Sequence, residues 1–79
     1  MGNKGKKYII EITGHAYKRF EERVPEFADI NIFIQDSIEF GIARGINQKG
    51  FVIYEYKGHE LRFKKLRKNS RRLKLITIV

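Results

Sequence analysis

Hydrophobic residues recur with two different periods along the chain, and the change of period marks the predicted elements. Residues 7–13, KYIIEIT, are rich in isoleucine and are bounded by Thr-Gly, which indicates a short strand or an extended lead-in. After Thr13 an apolar residue recurs at every fourth position, as a helical stripe of Ala16, Phe20 and Val24. Thr13 can cap this first helix, and Pro25 ends it because the residue before a proline avoids helical geometry.

A second helix is predicted over about residues 30–44, with Asp29 as its N-terminal cap. Its apolar stripe repeats every four residues and comprises Ile30, Ile34, Ile38 and Ile42. Gly45 suits the C-terminal cap of this helix. Gly41 lies inside the predicted helix, where glycine costs about 1 kcal/mol relative to alanine. We therefore expect Gly41 to permit the close approach of another element.

The remaining chain is predicted to be β-structure. After a loop at residues 46–50 come three segments with the composition or alternation of strands, namely 51–56, 59–66 and 73–79. Lys57-Gly58 is a predicted two-residue hairpin turn, and residues 67–72, RKNSRR, are a polar turn. The last strand is expected to place Leu73, Leu75, Thr77 and Val79 on one face. The predicted fold is α+β, with two N-terminal helices packed on a three- to four-stranded antiparallel sheet whose other face is partly open.

Composition indicates a single globular domain. The chain has 79 residues, of which 42% are hydrophobic and 13% aromatic. Residues 1–7 are expected to form a flexible basic tail and residues 8–79 the domain. Cysteine is absent, which excludes disulfides and thiolate metal sites, and two histidines alone give no reason to expect a metal or another cofactor. No apolar run approaches the roughly 18 residues of a membrane span, so we expect a cytoplasmic protein. The sequence does not fix its oligomeric state, and a dimer is one option for so small a domain.

Positive charge is concentrated near one end of the sequence. The chain carries 17 Lys and Arg against nine Asp and Glu, which gives a net charge of +8. Residues 8–60 hold six basic and nine acidic residues, whereas residues 61–79 hold eight basic residues and no acidic one. Such a cation field is typical of a nucleic-acid-binding surface, with a solvated strand face as the alternative. The predicted contacts are Arg62, Lys64, Lys65, Arg67, Lys68, Arg71, Arg72 and Lys74.

The first helix carries a second, polar pattern within HAYKRFEERV, residues 15–24. At about 100° per residue, His15, Arg19 and Arg23 fall on the border beside the apolar stripe. Two guanidiniums on adjacent turns can hold a phosphate, and a nearby histidine is a candidate acid–base group for RNA cleavage without a metal. The alternative is that the arginines form surface ion pairs with Glu22 and that His15 bonds to the backbone at the helix start. Periodicity alone favours this alternative.

Further candidate residues lie on the predicted strands. His59 is the only other imidazole and is a candidate second proton-transfer group, although a polar residue at a strand start is the more ordinary interpretation. Tyr54 and Tyr56 share one face of their strand, where they would either stack on bases or pack in the core. Thr77 fits the β-propensity of the last strand.

The order of three motifs resembles that of a family of small bacterial and phage domains, whose first helix reads H-A-x-x-R-x-x-x-R. The motifs here are HAYKRFEER at 15–23, IQDSIEFGIARG at 34–45 and LITIV at 75–79. That family is similar to the RelE-like and BrnT-like toxins of the barnase/colicin/RelE-like nuclease fold. The resemblance implies helices followed by an antiparallel sheet that meets RNA. It assigns the family's motif positions to His15, Arg19, Arg23 and Thr77.

Two features depart from that family's pattern. Val24-Pro25 stands where many relatives have Arg-Gly or a short turn, and the basic segment 67–72 is longer than usual. Neither departure removes a motif residue. Because the activity of that family is itself mostly inferred, the resemblance supports the predicted fold more strongly than the predicted chemistry.

These observations favour an RNA-binding protein of the RelE-like toxin type, with metal-independent endoribonuclease activity as a hypothesis. The alternative is a non-catalytic phage or bacterial module that engages nucleic acid or a host protein through its basic face. A third interpretation is a small protein held on that same face by an acidic, antitoxin-like partner. The hypothesis of catalysis requires that His15, Arg19 and Arg23 project together toward the cation-rich side of the sheet.

Overall fold

The computed structural model describes residues 8–66 and 72–79. Within them the elements are β1 (Ile9–Ile12), α1 (Gly14–Arg23), α2 (Ile30–Phe40), β2 (Ile42–Ile46), β3 (Val52–Tyr56), β4 (His59–Lys65) and β5 (Arg72–Ile78). The strands form one sheet in the order β1-β5-β4-β3-β2. Neighbouring strands are antiparallel except β1 and β5, which run parallel. The predicted tail at 1–7 and residues 67–71 of the predicted polar turn lie outside the described residues.

Both helices begin where their capping residues predict. Thr13 Oγ1 accepts a hydrogen bond from the N–H of Ala16 at 3.0 Å at the start of α1. Asp29 Oδ1 accepts from the N–H groups of Asn31 at 2.8 Å and Ile32 at 3.3 Å at the start of α2. These bonds satisfy backbone donors that a helix start leaves unpaired. The two predicted caps are therefore confirmed.

The second helix ends earlier than predicted, because the chain leaves the helix at Gly41. α2 ends at Phe40, and Gly41 is its C-terminal cap with extended backbone geometry. A Cβ atom at Gly41 would lie 2.3 Å from the carbonyl oxygen of Ser37 and 2.7 Å from that of Glu55 on β3. The expected close approach is present, but at the end of a helix rather than inside it. Gly45 has a φ of +87° beside a bulge in β2, and the prediction that it caps a helix is wrong.

The prediction that both helices precede a three- to four-stranded antiparallel sheet is also wrong. The sheet is mixed and has five strands, and β1 precedes both helices. β1 joins the sheet because Ile10 and Ile12 pack against the core, and it runs parallel to β5, with Ile10 opposite Leu73 and Ile12 opposite Leu75. Residues 42–46, predicted as helix and loop, form the edge strand β2 against β3. The α+β class of the fold is confirmed.

The core lies between the two helices and one face of the sheet. Phe33 of α2 is fully buried near its centre. The centroid of its ring lies 5.6 Å from that of Phe20, 4.8 Å from that of Phe27 and 5.5 Å from that of Tyr56. The inner strands contribute Leu61, Phe63, Leu73, Leu75 and Ile78. Because burial of one such side chain contributes about 1.5–3 kcal/mol, this helix-facing side of the sheet holds the fold together.

A bulge between β4 and β5 changes the faces predicted for the last strand. Arg62 pairs with Thr77 whereas Phe63 pairs with Leu75, so β5 carries one extra residue at this point. The extra residue shifts the alternation of side chains, and Ile78 is buried in the core. The prediction that Thr77 shares a face with Leu73 and Leu75 is therefore wrong, because Thr77 lies opposite Arg62 on the other side of the sheet.

The turn between β3 and β4 has the predicted form. Lys57 and Gly58 both have positive φ angles, of 52° and 81°. Two successive residues with positive φ are typical of a two-residue hairpin, whose twist matches that of the flanking strands. The turn places Tyr56 opposite His59 and thereby sets the register of the β3–β4 pair.

Candidate nucleic-acid interface

The predicted site residues lie on two opposite sides of the sheet. Helix α1 packs on the side of β5 that carries Leu73 and Leu75. Successive side chains of a strand point to opposite faces, so the basic residues between the buried ones lie on the side away from the helices. We call this side of the sheet the open face. On β4 and β5 it carries Arg62, Lys64, Arg72 and Lys74.

His15, Arg19 and Arg23 follow one edge of α1, in the helix layer. His15 and Arg23 are exposed, and neither has a hydrogen-bond or ion-pair partner within residues 8–66 and 72–79. Arg19 Nη1 donates to Glu22 Oε1 at 2.8 Å, as the ion-pair interpretation of this helix predicts. The three groups therefore share one helix edge, but they lie on the opposite side of the sheet from the cations of the open face.

Lys64 and Lys74 lie directly opposite each other on the inner strands β4 and β5. Lys64 is exposed and Lys74 is half-buried. Neither forms an ion pair within the part of the chain that the structure describes, although Glu11 of β1 is the register partner of Lys74. Like charges placed directly opposite each other destabilise an antiparallel pair. A bound anion would relieve this repulsion.

The other half of the open face carries paired charges. Arg62 Nε donates to Glu60 Oε2 at 2.7 Å along β4. Arg44 of β2 forms an ion pair with Glu55 of β3. A shallow depression of about 500 Å³ lies between these strands, with Ile53 at its floor. Because its charged groups already have partners, this half is a weaker candidate for binding a polyanion than the half around Lys64.

Tyr54 and Tyr56 lie on the helix-facing side of the sheet. The ring centroid of Tyr54 is 5.8 Å from that of Phe63 in an edge-to-face arrangement, and Tyr56 packs against Phe33. Burial raises the pKa of the Tyr54 phenol above its ordinary value, and Tyr8, which shares a side-chain hydrogen bond with it, raises that pKa further. Core packing accounts for both tyrosines, and neither is on the open face.

Two further predicted residues also lie away from the open face. His59 begins β4 and is half-buried, and the centroid of its ring lies 6.2 Å from that of Phe33. Lys65 shares the strand face of Phe63 but is exposed at the end of β4. The predicted contacts that lie outside the described residues are Arg67, Lys68 and Arg71. Thr77 is on the open face, opposite Arg62. It does not lie beside the edge of α1 that carries His15, Arg19 and Arg23, which we call the His–Arg edge.

The open face also carries apolar residues that are not among the predicted contacts. Ile53 is only 6% exposed, although it is not part of the cluster between the helices and the sheet. Phe51, two residues earlier, is half-buried and is likewise not packed against that cluster. Because Val52 and Tyr54 pack toward the helices, the alternate positions of β3 belong to the open face. The alternation of side chains along this strand is therefore the sequence signal that identifies Phe51 and Ile53 as residues of the open face.

Comparison of the chain with protein-family models, with curated proteins and with solved structures finds no match. The similarity to RelE-like toxins therefore stays a prediction from the three motifs.

Within the described residues, neither helix is long and apolar enough to cross a membrane. Nor does that part of the chain bring three or more His, Asp or Glu side chains together as a metal site.

Proposed function

We propose that this protein binds nucleic acid, and RNA in the first place, through the basic half of its open face. The observation that carries the proposal is the direct cross-strand pairing of Lys64 with Lys74. Arg72 lies on the same face of β5 as Lys74. The choice of RNA comes from the motifs shared with the RelE-like toxins, and the choice of surface comes from the strand register.

Phosphate is the ligand that suits this arrangement. Directly opposite side chains of an antiparallel pair start about 5 Å apart, so one phosphate can contact both ammonium groups, or two successive phosphates can contact one each. Either mode replaces lysine–lysine repulsion by two attractive contacts. The net charge of +8 adds a long-range attraction that raises the rate of encounter with a polyanion.

Binding by phosphate contacts has a defined salt dependence, and this tests the proposal. Each contact releases counterions, so the logarithm of the association constant falls linearly with the logarithm of the salt concentration. Fluorescence anisotropy with labelled single-stranded and duplex RNA, titrated at several salt concentrations, should show binding that weakens steeply as salt is added. An absence of binding to either RNA at low salt would contradict the proposal.

A second candidate function is metal-independent RNA cleavage by the edge of α1 alone, without the strand cations, because the joint site predicted from the sequence is not formed. The observation that favours it is that His15 and Arg23 are exposed and have no partners within the described residues. In such a reaction a base takes the proton of the ribose 2′-OH, the oxygen attacks phosphorus, and an acid protonates the leaving 5′-oxygen. His15 would accept the proton of the 2′-OH, a water molecule would protonate the leaving 5′-oxygen, and Arg19 and Arg23 would stabilise the charge on phosphorus.

The test of this second function uses purified protein and labelled RNA in the presence of EDTA. Cleavage by the wild type and its loss in His15→Ala, with RNA binding retained, would support the function. Equal behaviour of the two proteins would remove it and leave a non-catalytic binding module. An acidic protein partner on the open face is the remaining alternative, and its sign is co-purification of an acidic polypeptide that RNA displaces.

A further inference from the structure

Phe51 is an aromatic residue on the open face. The β2–β3 ladder continues to it, because the N–H of Asn47 donates to the Phe51 carbonyl oxygen at 3.0 Å. The N–H of Phe51 in turn donates to Asn47 Oδ1 at 2.9 Å. The backbone N–H and the carbonyl oxygen of Phe51 are therefore both hydrogen-bonded to Asn47, which fixes the position from which the ring of Phe51 projects.

The strand alternation places this ring away from the helices. Val52 and Tyr54 pack against the core cluster, and Phe51 does not. Ile53, on the same face as Phe51, is buried without belonging to that cluster. Phe51 is half-buried, so part of its ring surface is covered by neighbours and part faces solvent.

The register places Phe51 beside the two opposed lysines. Val52 pairs with Phe63, and extending this register by one residue places Phe51, which directly precedes β3, next to Lys64 of β4. Lys64 in turn lies opposite Lys74 of β5. Adjacent strands are about 4.8 Å apart, so the row from the ring to the second lysine spans roughly 10 Å. An aromatic ring and two cations thus lie in one row across the sheet.

From this row we propose that the preferred ligand is single-stranded nucleic acid, with one base stacked on Phe51 and its flanking phosphates on Lys64 and Lys74. The proposal rests on the proposed function and specifies its ligand. Aromatic rings beside cations on an open sheet bind single strands by stacking. In a duplex the bases already stack on each other, so the ring gains no partner there and only the phosphate contacts remain.

The experiment compares Phe51→Leu with the wild type on a uridine oligoribonucleotide, a thymidine oligodeoxynucleotide and a duplex RNA, at one ionic strength. Loss of one base stack should weaken single-strand binding about 5- to 150-fold and leave duplex binding unchanged. Phe51→Tyr keeps a ring and should restore single-strand affinity. Tyr17→Leu removes an exposed aromatic from α1 and should change nothing. Similar loss on both single strands supports the stacking proposal, whereas loss on only one of them would contradict stacking that does not depend on the sugar.

A second measurement does not depend on a folded variant. Ultraviolet crosslinking of the wild type to the uridine oligomer, followed by tryptic digestion, should place the nucleotide on Phe51 within the peptide 50–57. A crosslink on Tyr54 or Tyr56 would overturn the proposal, as would unchanged binding by Phe51→Leu or a preference of the wild type for duplex. If the wild type binds no nucleic acid, the proposed function fails as well. If it binds both forms and Phe51→Leu has no effect, only the stacking proposal fails.

Discussion

Thr13 Oγ1 donates a hydrogen bond to the carbonyl oxygen of Leu75 at 3.1 Å, and the same oxygen accepts from the N–H of Ala16 at 3.0 Å. The N–H of Thr13 also donates to the Leu75 carbonyl oxygen, at 3.3 Å. One residue therefore ends β1, caps α1 and attaches both to β5 beside its bulge. This junction positions the His–Arg edge of α1 relative to the sheet.

Replacing Thr13 by alanine should remove both hydrogen bonds of its hydroxyl group, the one to the Leu75 carbonyl oxygen and the one from the Ala16 N–H. Thr13→Ala loses a helix cap, worth about 1 kcal/mol, and a side-chain bond to the backbone, worth about 1 kcal/mol. We expect the free energy of unfolding to fall by about 2 kcal/mol, measured by urea denaturation. Thr13→Ser keeps the hydroxyl and should retain most of this stability. If Thr13→Ala unfolds at the same urea concentration as the wild type, the junction does not stabilise the fold.

Gly41 should tolerate no side chain, because two backbone carbonyl oxygens occupy the space of a Cβ atom. A Cβ there would lie 2.3 Å from the Ser37 oxygen and 2.7 Å from the Glu55 oxygen. We expect Gly41→Ala to lower the free energy of unfolding by about 1–3 kcal/mol, measured by thermal or urea unfolding. Gly14→Ala is the matched control, because beyond its chain neighbours and the backbone of α1 no atom lies within 4 Å of its Cβ position. Gly14→Ala should leave the free energy of unfolding unchanged or raise it, since alanine favours helix. Equal effects of the two substitutions would contradict this account.

The raised pKa of Tyr54 predicts a loss of stability at high pH. Burial and Tyr8 raise this pKa above the ordinary value of 10.0. A group whose pKa is higher in the folded state contributes stability that is fully present below its unfolded pKa and is lost as the pH rises through its folded pKa. The free energy of unfolding of the wild type should therefore fall above about pH 10.

Two phenylalanine variants isolate the contribution of Tyr54. Tyr54→Phe should show a smaller fall in unfolding free energy between about pH 9 and about pH 11 than the wild type. Tyr17→Phe changes an exposed tyrosine and should follow the wild-type curve. A Tyr54→Phe curve parallel to that of the wild type would show that the phenol of Tyr54 does not link ionisation to folding.

Local sequence patterns predicted the features that depend on neighbouring residues. The caps at Thr13 and Asp29 and the turn at Lys57 and Gly58 each need only a few adjacent residues, and each is present. Helical spacing also identified the first helix, because Pro25 gives an unambiguous stop. These features follow from local sterics and hydrogen bonding, which the sequence displays directly.

Features that depend on distant contacts were not predictable in the same way. Ile38 and Ile42 continue the four-residue spacing across Gly41, so the helical pattern runs past the true end of α2 into β2. The helix ends there because the backbone of Gly41 meets β3, a contact that no local pattern encodes. The place of β1 beside β5 in the sheet likewise depends on the packing of Ile10 and Ile12 on the core.

The candidate site also combines features that neighbouring residues predict with features that depend on distant contacts. Alternation predicted that Arg62 and Lys64 share a face, and they do. The pairing of Lys64 with Lys74 depends on the β4–β5 register and its bulge, which the sequence does not specify. The proposed joint site of His15, Arg19 and Arg23 with the strand cations required them on one side of the sheet, whereas the helix and the open face lie on opposite sides.

The salt dependence of RNA binding by Lys64→Gln/Lys74→Gln tests the central claim most directly. Each lysine–phosphate contact contributes about 0.7 to the slope of log affinity against log salt for a single strand. The double variant should therefore bind more weakly than the wild type, with a slope reduced by about 1.4. Lys18→Gln removes one exposed charge from α1 and should leave the slope unchanged. A double variant with wild-type affinity and slope, or a Lys18→Gln variant with the same loss, would contradict binding by the open face.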